Sequence, residues 1–115
     1  MNIIDIIKID DANYPYRLRA IRNPPKQLYC EGNVELLNTN IISIIGSRAC
    51  SENGIKQAKK FAKGLVYQGI TVASGMAIGI DSGAHIGTLE QNGKTIAVIP
   101  SGLNQIFPKK KYKAL

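Results

Sequence analysis

The sequence is poor in the residues that every scaffold other than a packed core depends on. Its 115 residues include two cysteines and one histidine. No apolar run exceeds four residues, too few to span a bilayer. The opening stretch MNIIDIIKID carries Asp5 and Lys8 and lacks a small-residue cleavage site, so it does not read as a secretory signal. Cys30 and Cys50 lie 20 positions apart, with no CxxC pair and no neighbouring histidine. That argues against a disulfide framework and against a zinc site, and suggests reduced thiols in a cytoplasm. Internal repeats and low-complexity segments are absent, as are the GxGxxG dinucleotide fingerprint and the GxxxxGK[ST] phosphate loop. No cofactor or metal is expected. What is present is ordinary for a small soluble domain: 44% hydrophobic and 20% charged residues.

Acidic side chains are scarce in one half only. Up to residue 53, six basic side chains (Lys8, Arg17, Arg19, Arg22, Lys26, Arg48) balance six acidic ones. From residue 54 onward nine lysines face only Asp81 and Glu90, so this half carries the whole net charge of +7. A one-signed surface attracts polyanions. The cluster Lys56, Lys59, Lys60 and Lys63 reads more simply as the wet face of a helix, and Lys109, Lys110, Lys111 and Lys113 equally as a solvated end.

The first 40 residues read as an irregular N-terminal extension packing on the domain that begins at Ile41. Tyr14-Pro15 opens a short helix-like stretch that Asn23-Pro24-Pro25 stops, because a residue before proline is pushed out of the helical region. Gln27 to Glu31 suits a short strand. From Ile41 the punctuation becomes regular. Ile41 to Ile45 is a β-branched run ending at Gly46, as a buried parallel strand would be. After the loop Gly46–Asn53, the residues Ile55, Ala58, Phe61, Ala62, Leu65 and Val66 recur at helical spacing and predict a core-facing stripe, with lysines opposite and Gly69 ending the helix. Ile70 to Ala73 is a second strand. A second helix is predicted from Asp81, as its N-cap, to about Gln91, and a third strand from Thr95 to Ile99. Strand, helix, strand, helix, strand predicts right-handed parallel crossovers. The fold class is therefore α/β: a Rossmann-like, three-layer α/β/α arrangement with a mostly parallel sheet, of which residues 41–115 supply the first half.

In such a unit the strand-to-helix loops share one edge. Three meet there: Gly46-Ser47-Arg48, Ser74 to Asp81 through Gly75 and Met76, and Pro100-Ser101-Gly102. Glycines let the backbone approach closely, helix starts present N–H groups, and Ser47 and Ser74 offer hydroxyls. A guanidinium such as that of Arg48 grips phosphate with two parallel hydrogen bonds. His85 lies one helical turn after Asp81. The pair either positions a general base or, with better support, pins the glycine loop to its helix. Phe107 is core or a stacking platform for a base beside the lysines.

Taken in order, these residues resemble the DNA-processing protein A family (DprA, or Smf). The resemblance runs from Tyr14-Pro15 and Asn23-Pro24-Pro25 through Ile44-Ile45-Gly46-Ser47-Arg48, Ser74-Gly75-Met76-Ala77-Ile78-Gly79-Ile80-Asp81 and Ala84-His85 to Ser101-Gly102-Leu103 and Phe107-Pro108. It implies a non-enzymatic, cytoplasmic protein that binds single-stranded DNA and hands it to the RecA recombinase during natural transformation. It implies phosphate contacts at Ser47, Arg48, Gly75 and Met76 and a contribution from Phe107 and Lys109; the shared loop edge adds Gly46, Ser74 and Ser101 as candidate nucleic-acid contacts, with Asp81 and His85 supporting the loop. It further implies a homodimer and a domain that continues beyond residue 115. Two rival readings stay open on sequence alone: a nucleoside monophosphate hydrolase using Asp81 and His85, and a small-nucleotide sensor using the same edge.

Overall fold

The computed structural model describes residues 3–100. They fall into two compact units, divided between Thr39 and Asn40. In chain order the elements are β1 (Ile4–Lys8), α1 (Tyr16–Arg19), β2 (Gln27–Glu31), a 3-10 helix (Val34–Asn38), β3 (Ile41–Ser43), α2 (Glu52–Tyr67), β4 (Thr71–Ser74), α3 (Ile80–Glu90) and β5 (Thr95–Ala97).

The first unit is more ordered than its sequence suggests. β1 pairs antiparallel with β2, Ile4 opposite Glu31 and Lys8 opposite Gln27. The doublets Ile3-Ile4 and Ile6-Ile7 hide the alternation that marks a strand, and β1 is defined by a partner some twenty residues away rather than by its own pattern. Of the strand's isoleucines only Ile7 is buried. The other anchor is Tyr14, also buried, whose hydroxyl donates to the Pro25 carbonyl at 2.7 Å. Arg19 donates to the Ile9 and Asp11 carbonyls at 3.0 and 2.9 Å, with its guanidinium 5.4 Å from the Tyr14 ring centre. Tyr14, Pro25 and Arg19 therefore staple together the turns that the prolines interrupt.

The second unit is a parallel sheet in the order β3-β4-β5. Ile41 sits opposite Thr71, and Val72 opposite Thr95. This is the Rossmann-like α/β architecture that the sequence predicts. β4, the central strand, is buried at every position. Val72 meets Ala62 of α2 and Ala84 of α3, with Ile44 and Leu65 around them. Small residues make the helix–helix contact close. A Cβ on Gly87 would lie 2.6 Å from the Lys59 carbonyl oxygen, and one on Gly83 2.8 Å from that of Ile55. The two helix backbones touch, which only glycine permits.

The ends of these elements obey local chemistry. The Ser51 hydroxyl accepts the Gly54 N–H at 3.0 Å and caps α2. Gly69, at φ +75°, ends it. One expectation fails here: Phe61 does not join the core but stands 68% exposed. Only Ala58 and Ala62 of α2 are buried. At about 100° per residue Phe61 lies about 160° round α2 from Lys59, whose backbone meets α3, so the ring is on a side that no described element covers. Among the described residues no helix is long and apolar enough to cross a membrane.

Candidate functional site

Parallel strands send β3, β4 and β5 out at the same edge, and there the loops touch. The Ile80 N–H donates to the Ser47 carbonyl at 3.4 Å. A Cβ on Gly46 would strike the Ile80 side chain at 2.5 Å. One on Gly79 would lie 2.5 Å from the Ser47 carbonyl oxygen and 3.1 Å from the Arg48 Cα. Gly79 also has φ +91°, so both its conformation and its surroundings require glycine. The loop after β5 joins through Val98, whose N–H donates to the Ser74 carbonyl at 2.9 Å. Gly46, Ser47, Arg48, Gly75 and Gly79 thus form one continuous rim. The Ile80 side chain and the Val98 main chain complete it; the sequence does not single them out, because both look like ordinary apolar positions.

Arg48 is exposed at this rim. Among the described residues it has no carboxylate partner and no hydrogen bond, so its five donors face solvent. The Ser47 hydroxyl accepts the Ala49 N–H at 3.0 Å, which fixes the turn and leaves its own proton to give. Ser74 and Met76 are placed differently from expectation. Ser74 is 4% exposed, and its hydroxyl donates to the Ile44 carbonyl. That bond ties β3 to β4 and withdraws the hydroxyl from the rim. The Met76 side chain is also buried, leaving its main chain as the part available there. Ser101, Phe107 and Lys109 lie outside the described residues.

The support beneath the rim is His85. The ring is fully buried, with Nε2 2.6 Å from the Gly75 carbonyl oxygen and Nδ1 2.6 Å from Thr95 Oγ1. A carbonyl only accepts, so Nε2 carries a hydrogen and donates it to Gly75. Burial pushes the imidazole below its ordinary pKa, opposed by the Gly75 carbonyl and the Asp81 charge. The Thr95 hydroxyl donates to the Val72 carbonyl at 3.0 Å, and its oxygen is the polar neighbour of Nδ1. Both ring nitrogens serve the fold, and the ring does not reach solvent as a general base would. Thr95 is a partner that sequence reading missed. The signal was its place at the start of β5, opposite Val72.

Asp81 does not cap α3 as predicted. The helix begins at Ile80 with Gly79 as its N-cap, and the cap makes no side-chain bond. The Asp81 side chain is buried one residue further in, and its Oδ1 has no hydrogen-bond partner. A Cβ on Gly75 would come 2.7 Å from Oδ2, so Asp81 wedges against the glycine loop rather than bonding to it. Among the described residues no three His, Cys, Asp or Glu side chains gather to hold a metal ion.

A family model described as DNA recombination-mediator protein A matches residues 5–115. The chain is 43% identical over 101 residues to DNA processing protein DprA of Streptococcus pneumoniae, covering 88% of this chain and 35% of that protein. It is 38% identical over 105 residues to protein Smf of Escherichia coli, covering 91% and 28%. It therefore spans about a third of the length of the curated relatives it matches. The fold superimposes on the X-ray structure of DprA from Streptococcus pneumoniae with a TM-score of 0.86 at 40% identity, over 92% of this chain and 37% of the other. A second structure, DNA processing protein A from Helicobacter pylori with its single-stranded DNA binding mode, gives a TM-score of 0.69 at 30% identity over 98% and 48%. A touching rim of glycine loops under an unpaired arginine, on a sheet of this order, thus comes with a match along nearly the whole chain: the protein belongs to the DNA recombination-mediator protein A family.

Proposed function

We propose that this chain is a single-stranded-DNA-binding module of DNA uptake and recombination, and that it acts by holding the strand rather than by catalysis. The observation that carries this reading is the joined rim, where Gly46–Arg48 and Gly75–Ile80 touch and present an unpaired guanidinium. Main-chain N–H groups and Arg48 hold phosphates, while Ser47 donates its remaining proton. Ile45 and Val98, 76% and 66% exposed at the same edge, offer apolar surface to bases. The related Helicobacter pylori protein, described by its single-stranded DNA binding mode, supports the same ligand class. The buried, doubly bonded His85 speaks against the hydrolase alternative. Delivery of the strand to the RecA recombinase, and a homodimer, are part of the same proposal.

The test is titration with oligothymidylate at several salt concentrations. Affinity is expected to fall linearly on a log–log plot, with a slope of about −0.7 for each phosphate neutralised. Arg48→Ala is expected to weaken binding about tenfold or more, the loss of a charge-assisted bidentate contact. A flat salt response, or an Arg48→Ala variant that binds like the parent chain, overturns the proposal.

A further inference from the structure

The helix α2 starts a few residues after Arg48 and climbs away from the rim at about 1.5 Å per residue, placing Lys56 about 7 Å and Tyr67 about 24 Å beyond Ser51. Its sheet-facing side is closed by Ala58, Ala62 and Leu65. One flank is also occupied: Lys59 and Lys63 reach Glu90 of α3 at 3.9 and 3.2 Å. The remaining arc, at about 100° per residue, carries Lys56, Lys60, Phe61, Gly64 and Tyr67. Lys56 and Lys60 have no carboxylate partner among the described residues. Phe61 is 68% and Tyr67 84% exposed.

Gly64 is the informative residue. A glycine inside a helix costs about 1 kcal/mol relative to alanine. Gly83 and Gly87 of α3 have a packing reason, since their missing Cβ atoms admit the α2 backbone. Gly64 has none among the described residues, for a Cβ there meets nothing within 4 Å. The bare backbone lies between two exposed aromatics and beside a lysine with no carboxylate partner among the described residues, and leaves room for a ligand to approach closely.

We propose that this outward arc of α2 is a second contact for single-stranded nucleic acid, taking the strand as it leaves the rim. The inference rests on the reading of the rim as the first site. Lys56 and Lys60 sit on phosphates, Phe61 and Tyr67 stack on bases, and Gly64 gives the flat ground between them. Cations interleaved with exposed rings match a strand that presents phosphates and π-faces together. A lipid surface fits less well, because the apolar side of α2 is already closed against the sheet.

The experiment compares oligothymidylates of about 6 and about 20 nucleotides, lengths that bracket a single small site. On the full chain, Phe61→Ala with Tyr67→Ala is expected to weaken the longer oligonucleotide at least about fivefold and to leave the shorter one unchanged. Lys56→Gln with Lys60→Gln is expected to reduce the salt slope of the longer one by about 1.4. Ultraviolet cross-linking of the longer oligonucleotide to the unsubstituted chain, read by peptide mass spectrometry, is expected to mark Phe61 or Tyr67, and this arm does not depend on any variant folding. Equal losses for both lengths, no loss for the longer one, or cross-links confined elsewhere overturn the inference. If Arg48→Ala weakens both lengths while the arc variants bind like the parent chain, the arc alone fails. If Arg48→Ala weakens neither, the rim reading fails.

Discussion

Helices α2 and α3 pack side by side against the same strand and are built for different tasks. Seven of the eleven residues of α3 are buried, among them Asp81, Ser82, His85 and Thr88. Only two of the sixteen residues of α2 are, both alanines. A helix that buries polar side chains must satisfy or wedge each of them, so α3 fixes the positions of its neighbours: His85 holds the Gly75 carbonyl and Asp81 presses on the same glycine. A helix that buries only methyl groups is free to vary its surface. The difference separates residues that shape the rim from residues proposed to meet a ligand.

The sharpest way to break this comparison is to make one substitution in both helices. Gly87→Ala places a methyl 2.6 Å from the Lys59 carbonyl oxygen and 2.7 Å from its Cα, so the backbones must part. Overpacking of about 1–3 kcal/mol, partly offset by about 1 kcal/mol of helix propensity, is expected to lower the melting temperature. Gly64→Ala meets nothing and gains propensity, so it is expected to stabilise the chain by up to about 1 kcal/mol. Thermal melts of the two variants test this. Shifts in the same direction erase the distinction.

His85 tests the positioning role of α3. Removing the ring with His85→Ala leaves the Gly75 carbonyl without its donor and opens a cavity, while the Thr95 hydroxyl keeps the Val72 carbonyl; the expected loss is about 2–4 kcal/mol together with weaker oligothymidylate binding. The pH dependence carries a definite sign. The folded state holds the imidazole pKa below its ordinary value, so between that lowered pKa and about 6.5 the unfolded chain binds more protons. The stability that His85 contributes is fully present above the ordinary value and declines as pH falls towards the lowered one. His85→Gln keeps an N–H for Gly75 and cannot titrate, so the difference in melting temperature between pH 7 and pH 5 is expected to shrink. An unchanged or larger difference removes His85 as its source.

Much of the second unit was readable from sequence because its signals are local. Runs of β-branched residues, helical spacing and Gly69 place β3, α2, β4, α3 and β5 within about two residues of the ends observed. The convergence of Gly46-Ser47-Arg48 with the Gly75–Ile80 loop was readable too, since parallel order alone brings those loops to one edge. What escaped was decided by distant partners. β1 exists because β2 pairs with it. Ser74 looked like a rim donor, but the direction of its hydroxyl depends on the Ile44 carbonyl at the end of the neighbouring strand. Phe61 fitted the apolar stripe by spacing, but it stands at the edge of that stripe away from α3, where no described element covers it. Asp81 resembled a cap because it stands where the helix begins, yet Gly79 begins it two residues earlier.

The smallest expected effect lies on the flank where the two helices exchange charge. Glu90 of α3 reaches Lys63 at 3.2 Å and Lys59 at 3.9 Å, with all three side chains about a third to a half exposed. Exposed pairs of this kind contribute about 0–1 kcal/mol, so Glu90→Gln is expected to move the melting temperature by little more than its error. Its value lies in binding. The substitution releases two lysines that face α3, without adding a cation to the outward arc of Lys56 and Lys60. If the strand runs along that arc, Glu90→Gln strengthens oligothymidylate binding only through the overall charge, by less than about threefold at low salt and by nothing once salt screens it. A gain larger than the loss from Lys56→Gln with Lys60→Gln puts the strand on the flank between the helices instead. Lys59 and Lys63 would then be ligand contacts that α3 restrains, and α3 would be acting on the ligand directly as well as through the rim.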